Sequence, residues 1–364
     1  MLFADSVRSA DMYYLSGFLA ADPFVYIRSD DGFELLIVPQ MEVERARQEA
    51  RVKNVRSSAE FSAKKAEDII AAALRELKIK AIEVPKYFPL WLAEELKRRG
   101  FTVMPKFDHI EAREVKSRRE ISLIKKAQRA CEAAMRRAIL EIENAKVRNG
   151  VLVSGRRVLT SERLRTLVAH TLLDNGCFAY DIIISCGKDS AKPHFAGAGA
   201  LRADEPIVLD FAPQLLKERY FSDMTRTVIK VEAGVPPKIK EMFNAVLEAQ
   251  KVALKKIREG VTCKEVHDAV CDFFEELGYG TLRKNAKTGF IHSTGHGVGI
   301  ELHEPPTLSD NEYVLKRGNV ITVEPGLYEP EVGGVRLEDV VVVRRSGCEN
   351  LTKFEKRLEL RKTQ

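Results

Sequence analysis

Four acidic residues and one histidine lie in or beside strongly apolar runs in the part of the chain from residue 210 onward. They are Asp210, Asp223, His296, Glu324 and Glu338. Strands as apolar as these are expected to be buried, and a buried carboxylate is costly unless a cation or hydrogen-bond donors compensate it. A satisfied core acid explains one such residue, whereas four of them with a histidine predict a site for two divalent metal ions.

The spacing of the acidic residues predicts two β-hairpins. Asp223 follows Asp210 by 13 residues, and Glu338 follows Glu324 by 14 residues. The turn-like stretches between them are 213–217 and 329–334. Each pair is therefore typical of two strands that each supply one inward-facing oxygen ligand. The second hairpin resembles the first, which indicates internal pseudo-symmetry.

The chemistry of this ligand set indicates which metals it suits. A group rich in oxygen ligands with a single imidazole suits Mn²⁺, Co²⁺, Fe²⁺ or Zn²⁺, whereas a structural zinc site would favour thiolates. The six cysteines include no CxxC pair. That pattern fits reduced thiols in a cytoplasm and argues against a disulfide framework or a zinc ribbon.

Five runs of sequence surround the candidate ligands in order. They are 209–211 (LDF), 222–227 (SDMTRT), 295–304 (GHGVGIELHE), 323–326 (VEPG) and 333–339 (GGVRLED). Together they resemble the ligand segments of the pita-bread metallopeptidases, a family that includes methionine aminopeptidase, aminopeptidase P, prolidase and creatinase. The resemblance covers roughly residues 115 to 350 with specific motifs and extends more loosely over the first 110 residues.

The resemblance implies an α+β fold with two domains. Residues 1–113 are expected to form a smaller α/β domain, and the run from Tyr14 to Phe18 resembles the creatinase-type amino-terminal domain of prolidase and aminopeptidase P. Residues 114–364 are expected to form a pita-bread catalytic domain with pseudo-twofold symmetry. The predicted strands are 24–28, 33–38 and 81–84, the predicted helices are 62–77, 90–99 and 117–144, and a hairpin is predicted within 147–160.

The resemblance also implies a role for each ligand. Asp223 would chelate one metal ion and His296 the other, while Asp210 and Glu338 would bridge the two. Glu324 would complete the shell of the second ion and take the proton from the attacking water. Two ions that share a water would lower its pKa toward neutrality and so produce the attacking hydroxide.

Three further histidines lie in or near the matched runs. His194 matches a histidine that contacts the substrate, and His303 matches one that binds the scissile carbonyl or its oxyanion. His292 would line the pocket, brace the metal shell or serve a purely structural role.

Two other side chains are candidates for substrate binding. Arg336 is two residues before Glu338, so strand alternation places both on one face. Arg336 would contact a substrate carboxylate, neutralise the acidic cluster or form a salt bridge in the wall of the site. Tyr180 would stack on a proline ring, with simple core packing as the alternative.

Composition limits where the protein is expected to be located and which partners it is expected to bind. The net charge of +6 is mild, and the basic residues are interleaved with acidic ones, which argues against nucleic-acid binding. The amino-terminal run lacks an export-signal pattern, and no apolar run approaches the roughly 20 residues of a membrane span. We therefore expect a cytoplasmic protein without membrane association, and the resemblance implies a homodimer.

These features together predict a dinuclear metallopeptidase that cleaves the bond before proline, with Xaa-Pro dipeptides as substrates. The amino-terminal domain argues against methionine aminopeptidase, and the intact ligand set argues against creatinase, which needs no metal. Aminopeptidase P-like cleavage of longer peptides is the first alternative, and an inactive binding module on the same fold is the second. Ala212 and Cys186 depart from the family's usual glycine and serine, which bears on substrate fit and not on the ligands.

Overall fold

The computed structural model describes residues 1–361 and divides the chain into two compact units, Met1–Arg113 and the residues from Glu114 onward. The assignment of these units as independent domains remains a proposal. Residues 362–364 of the predicted second domain lie outside the described residues. None of the helices formed by residues 1–361 is long and apolar enough to cross a membrane.

The first unit combines two small sheets with short helices. Its strands are Leu2–Ala4 (β1), Phe24–Arg28 (β2), Glu34–Val38 (β3), Asn54–Ser57 (β4), Ala81–Pro85 (β5) and Thr102–Phe107 (β6). Its helices are Ala10–Ser16 (α1), Val43–Glu49 (α2), Ala66–Glu76 (α3) and Leu90–Arg98 (α4). Strands β1 to β4 form one sheet in chain order, and β5 and β6 form a parallel pair. Alternate residues of β2 and β3, such as Val25 and Ile37, pack with Ile70 and Leu74 of α3.

The predicted elements of this unit are present with some shifted ends. The helix predicted from residue 62 begins at Ala66, because Lys65 has an extended backbone and the acidic first turn follows it. Strand β6 escapes prediction because Pro105 interrupts its run, and proline argues against a strand away from a sheet edge.

The second unit contains four α-helices and several sheets within the described residues. The helices are Arg118–Asn144 (α5), Ser161–Asp174 (α6), Pro237–Lys256 (α7) and Cys263–Glu276 (α8). The strands up to α7 are Lys146–Arg148 (β7), Val151–Ser154 (β8), Arg157–Val158 (β9), Cys177–Phe178 (β10), Ile182–Cys186 (β11), Ile207–Phe211 (β12), Gln214–Leu215 (β13) and Met224–Lys230 (β14). The later strands are Gly295–Gly297 (β15), Glu304–Leu308 (β16), Val320–Val323 (β17), Gly326–Glu329 (β18), Gly333–Arg336 (β19), Asp339–Arg344 (β20), Gly347–Asn350 (β21) and Glu359–Leu360 (β22).

Two successive sets of elements repeat in this unit. Each set begins with a packed pair of helices, α5 with α6 and then α7 with α8. Each continues with antiparallel strands, which are β11, β12 and β14 side by side in the first set and β15, β17 and β20 side by side in the second. This repetition confirms the internal pseudo-symmetry predicted from the two hairpins.

The long helix α5 is stabilised by a cap at its start and by its buried apolar face. Ser117 and Glu120 form a capping box at its start, in which each side chain accepts from the other residue's backbone N–H. Its buried face includes Ile124, Cys131 and Met135, and Cys131 Sγ donates to Phe211 O of β12.

The hairpin predicted within 147–160 is present and gains a third strand, so that β7, β8 and β9 form a small sheet.

Candidate metal centre

The four predicted acidic ligands lie at the ends of paired antiparallel strands. Asp210 is in β12, directly opposite Thr225, and Asp223 immediately precedes β14. Glu324 immediately follows β17, and Glu338 immediately precedes β20, the strand paired with β17. The two hairpins therefore each deliver one carboxylate from each arm, as the spacing predicts.

Strand β15 brings His296 to the same place. A Cβ at Gly295 would lie 2.1 Å from Thr322 O, so glycine is what permits this close approach to β17. The His296 N–H donates to Thr322 Oγ1 at 2.9 Å. His296 Nδ1 lies 3.1 Å from Gly297 O, which can only accept, so Nδ1 carries the proton. The lone pair on Nε2 then faces the carboxylates, and this tautomer suits a metal ligand.

Three of the five predicted ligands converge closely. One ligand atom each of Asp223, His296 and Glu338 lies within 4.8 Å of the others, and all three residues are buried. His296 Nε2 is also 3.3 Å from Glu324 Oε1 and 3.7 Å from Asp223 Oδ2. A nitrogen lone pair that faces two carboxylate oxygens is favourable only with a proton or a cation between them.

Two of the carboxylate oxygens have no partner among the described residues, and a bound cation would supply one. Asp223 Oδ1 and Glu338 Oε1 are buried and have no hydrogen-bond partner among the described residues. Burial, followed by repulsion from neighbouring carboxylates, raises the pKa of both groups well above their ordinary values. The residues present therefore fit divalent metal ions, because bound cations would supply the missing partners.

Arg336 forms the salt bridge in the site wall that was one of its predicted roles. Its Nη2–H donates to Asp210 Oδ2 at 2.5 Å, and its Nη1–H donates to the Tyr328 hydroxyl at 2.7 Å. The Tyr328 hydroxyl lies 2.9 Å from His292 Nε2, and His292 Nδ1 lies 2.7 Å from Ser293 O. Both ring nitrogens of His292 are thus engaged within the protein, which favours its predicted bracing role over direct substrate contact.

This arrangement bears on which carboxylates are shared between metal ions. Asp210 is engaged by Arg336, whereas Asp223 lies beside Glu338 and His296. The expectation that Asp210 bridges together with Glu338 stays a prediction.

Two threonine hydroxyls orient the carboxylates. Thr225 Oγ1–H donates to Glu338 Oε2 at 2.8 Å and accepts from Arg336 Nε at 3.1 Å. Thr322 Oγ1–H donates to Glu324 Oε1 at 3.1 Å. Each threonine lies two residues from a predicted ligand on a strand, so side-chain alternation was a usable signal for both.

Most of the predicted site residues line a cavity of about 550 Å³. Its lining includes all five predicted ligands together with His194, His292, His303 and Arg336. The rings of His296 and His303 are 4.3 Å apart and nearly perpendicular. Partial burial and the neighbouring His296 lower the pKa of His303, so its imidazole is neutral at neutral pH and retains one N–H donor.

Tyr180 lies apart from this group. It is 71% exposed and is not among the described residues that line the cavity, although its neighbour Asp181 is. Its ring contacts Phe178 edge-on, with the ring centres 4.8 Å apart. Its role in stacking on a substrate stays a prediction.

Family models cover most of the chain. Residues 122–345 match the model of metallopeptidase family M24, and residues 5–121 match that of the creatinase/prolidase N-terminal domain. These matches confirm the resemblance seen in the five motifs and the predicted α+β class.

Individual relatives are similar over nearly their whole length. An Xaa-Pro dipeptidase from Pyrococcus horikoshii is 34% identical over 96% of this chain and 92% of its own. The crystal structure of a prolidase from the same organism has a TM-score of 0.81 at 31% identity, covering 96% of this chain and 93% of that one. The crystal structure of an X-Pro aminopeptidase from Thermotoga maritima has a TM-score of 0.82 at 29% identity, covering 99% and 96%.

Proposed function

We propose that this chain, which belongs to metallopeptidase family M24, hydrolyses the bond before proline with the help of divalent metal ions. The observation that carries the proposal is the buried group of Asp223, His296 and Glu338, with two carboxylate oxygens that lack a partner among the described residues. We propose Xaa-Pro dipeptides as the main substrates, supported by the relatives named Xaa-Pro dipeptidase and prolidase.

Two metal ions account best for the charge of the site. Arg336 is the one arginine or lysine among the described residues that line the cavity. The four ionised ligand carboxylates exceed its charge by three, so a single divalent ion would leave the site anionic. We propose that Asp210, Asp223, His296, Glu324 and Glu338 hold two ions, with Mn, Co, Fe and Zn as candidates.

The metal ions and the protein side chains have separate roles in the proposed hydrolysis. When bound, divalent ions acidify water to give a nucleophile at neutral pH and polarise the scissile carbonyl. Glu324 takes the proton of the attacking water, because the Thr322 hydroxyl fixes Oε1 and leaves Oε2 outside that hydrogen bond. The N–H of neutral His303 donates to the oxygen on which negative charge develops.

The remaining cavity groups bind and orient the substrate. His194 lines the cavity and is exposed to solvent, which suits contact with a bound peptide. Arg336 balances the charge of Asp210, and His292 braces Arg336 through Tyr328. The cavity volume falls within the roughly 300–1,000 Å³ typical of small-ligand sites.

A second candidate function is removal of the first residue from longer Xaa-Pro peptides. It is favoured by the similarity to the X-Pro aminopeptidase structure, which covers 99% of this chain. Hydrolysis of Met-Pro and Met-Pro-Ala separates the two functions, using metal-stripped protein with and without added Mn²⁺ or Co²⁺. Metal-dependent cleavage of the dipeptide alone supports the dipeptidase, and cleavage of the tripeptide with little of the dipeptide supports the aminopeptidase.

The same experiment tests whether the chain is an enzyme at all. Absence of cleavage of either peptide by metal-loaded protein would contradict both peptidase functions and favour a binding module.

We also propose a homodimer and a cytoplasmic location. Light scattering of the purified protein and cell fractionation test these two proposals.

A further inference from the structure

A buried ion pair lies beside the predicted site without belonging to it. Lys116 Nζ is 2.7 Å from Glu304 Oε1, and the two side chains are only 1% and 2% exposed. Removing two charges from water costs so much that a buried pair is weak evidence for a role in stability alone. The location of this pair therefore bears on its role.

Glu304 follows His303 directly and opens strand β16. Its second oxygen, Oε2, accepts from the Glu301 backbone N–H at 3.2 Å. A Cβ at Gly299 would lie 2.3 Å from Glu304 Oε1, so glycine at 299 makes room for the carboxylate. One carboxylate thus lies against both Gly299 and Glu301 of the loop that joins β15 to β16.

The rest of this loop is held by the backbone. The Gly299 N–H donates to Glu301 O at 3.0 Å, and the Phe221 N–H donates to Gly299 O at 2.7 Å. On the other side of the ion pair, the Lys116 N–H donates to Gly318 O at 3.0 Å, which anchors the lysine next to helix α5. The ion pair therefore ties a loop that carries His303 to a fixed backbone segment.

We propose that Lys116 and Glu304 are positioning residues that hold the His303 imidazole where it donates to the reacting carbonyl. This inference rests on the proposed function. Neither residue contacts the substrate in this role. Their effect is exerted through His303, whose ring is 4.3 Å from that of the predicted ligand His296.

A double-mutant cycle tests this coupling. We expect Glu304→Gln to lower kcat for Met-Pro by about 10- to 100-fold, with KM and metal content close to wild type, because a small displacement of a catalytic group is this costly. In a His303→Ala background the same substitution should cause little further loss. An equal loss in both backgrounds, or no loss in the wild-type background, would overturn the proposal.

Two further variants separate positioning from folding. Lys116→Met with Glu304→Gln removes both charges, so it should recover most of the stability lost by Glu304→Gln while kcat stays low. Recovery of kcat together with stability would reduce the pair to a structural role. Asp11→Asn is the matched control, since it breaks the buried Asp11–Arg113 ion pair of the first unit and should leave kcat unchanged.

A spectroscopic measurement decides the question even if the peptides are not cleaved. The chain has 7 histidines, so selective ¹⁵N-histidine labelling gives a spectrum in which His303 is identified by its absence in His303→Ala. We expect Glu304→Gln to shift or broaden the His303 ring signal and to leave the signal of exposed His170 in place. An unchanged His303 signal contradicts the inference, whereas absence of cleavage with a shifted signal contradicts only the proposed function.

Discussion

A threonine hydroxyl that hydrogen-bonds to one oxygen of a carboxylate determines which oxygen remains available to a cation. Thr225 occupies Glu338 Oε2, and the oxygen without a partner among the described residues is Glu338 Oε1. The same hydroxyl accepts from Arg336, so its single proton is committed to the carboxylate. A residue outside the ligand set thereby fixes the orientation of one inside it.

Thr225→Val tests this orientation with little change in volume. We expect affinity for Mn²⁺ or Co²⁺ to fall by about 10- to 100-fold, because Glu338 loses the donor that fixes its rotation. Competition with a chelating dye measures the affinity directly. Thr227→Val is the matched control on the same strand, since within residues 1–361 its hydroxyl bonds to the backbone of Arg336 and to no predicted ligand. Equal affinity of Thr225→Val and wild type would contradict the role of Thr225.

His303→Ala should separate turnover from metal binding. His303 lines the cavity but does not belong to the converging group of Asp223, His296 and Glu338. We expect metal content near wild type and a fall in kcat of roughly two to four orders of magnitude, the scale of losing an oxyanion donor and its positioning. Metal analysis and steady-state kinetics measure the two quantities, with His170→Ala on helix α6 as the control. Full turnover would remove His303 from the mechanism.

At the scale of elements, glycine in β15 governs how closely two strands approach. Gly295→Ala would place a Cβ 2.1 Å from Thr322 O, and backbone atoms cannot yield as a flexible side chain can. We expect a loss of about 1–3 kcal/mol in the free energy of unfolding, measured by denaturant titration. Gly347→Ala in β21 is the control, since no described residue other than its two chain neighbours lies within 4 Å of the added Cβ. A stability equal to wild type would mean that β15 and β17 separate at little cost.

The repeated hairpins were predictable because their signals are local. Acidic residues at the ends of apolar runs mark Asp210 and Glu324 in the sequence, and the intervening turns set the pairing. The small hairpin of β18 and β19, nested between Glu324 and Glu338, was visible only as a turn. It places the Tyr328 hydroxyl against Arg336 and His292, and no local pattern distinguishes that tyrosine from a core residue.

At the scale of the whole molecule, the groups that escape prediction are joined by long-range contacts. Asp210 and Arg336 are 126 residues apart in the chain, and Lys116 and Glu304 are even farther apart, at 304 − 116 = 188 residues. Sequence patterning predicts which residues are buried but not which buried charges meet. The sequence around Arg336 is therefore compatible with several roles, and its contact with Asp210 is what distinguishes them.

At the same scale, the acidic cluster contributes to how the stability of the protein depends on pH. Burial raises the pKa of Asp223 and Glu338 above their ordinary values of 3.8 and 4.5, at which they lose protons in the unfolded chain. Above about pH 4 these two groups therefore hold more protons in the folded, metal-free protein than in the unfolded chain. Linkage requires these two groups to lower the free energy of unfolding as pH rises from there through the raised pKa values.

Bound divalent metal should reverse this dependence, because it favours the ionised carboxylates. We expect the difference in Tm between metal-loaded and chelated protein to widen from about pH 5 to pH 8, as deprotonation of the ligands becomes costlier without the ions. Thermal unfolding at a series of pH values measures it. Glu338→Gln removes one of the two titrating groups, so the chelated variant should lose less stability than the chelated wild type as pH rises. A metal-dependent Tm difference that stays constant over this range would contradict the coupling of Asp223 and Glu338 to the ions, since neither group would then exchange a proton for a cation.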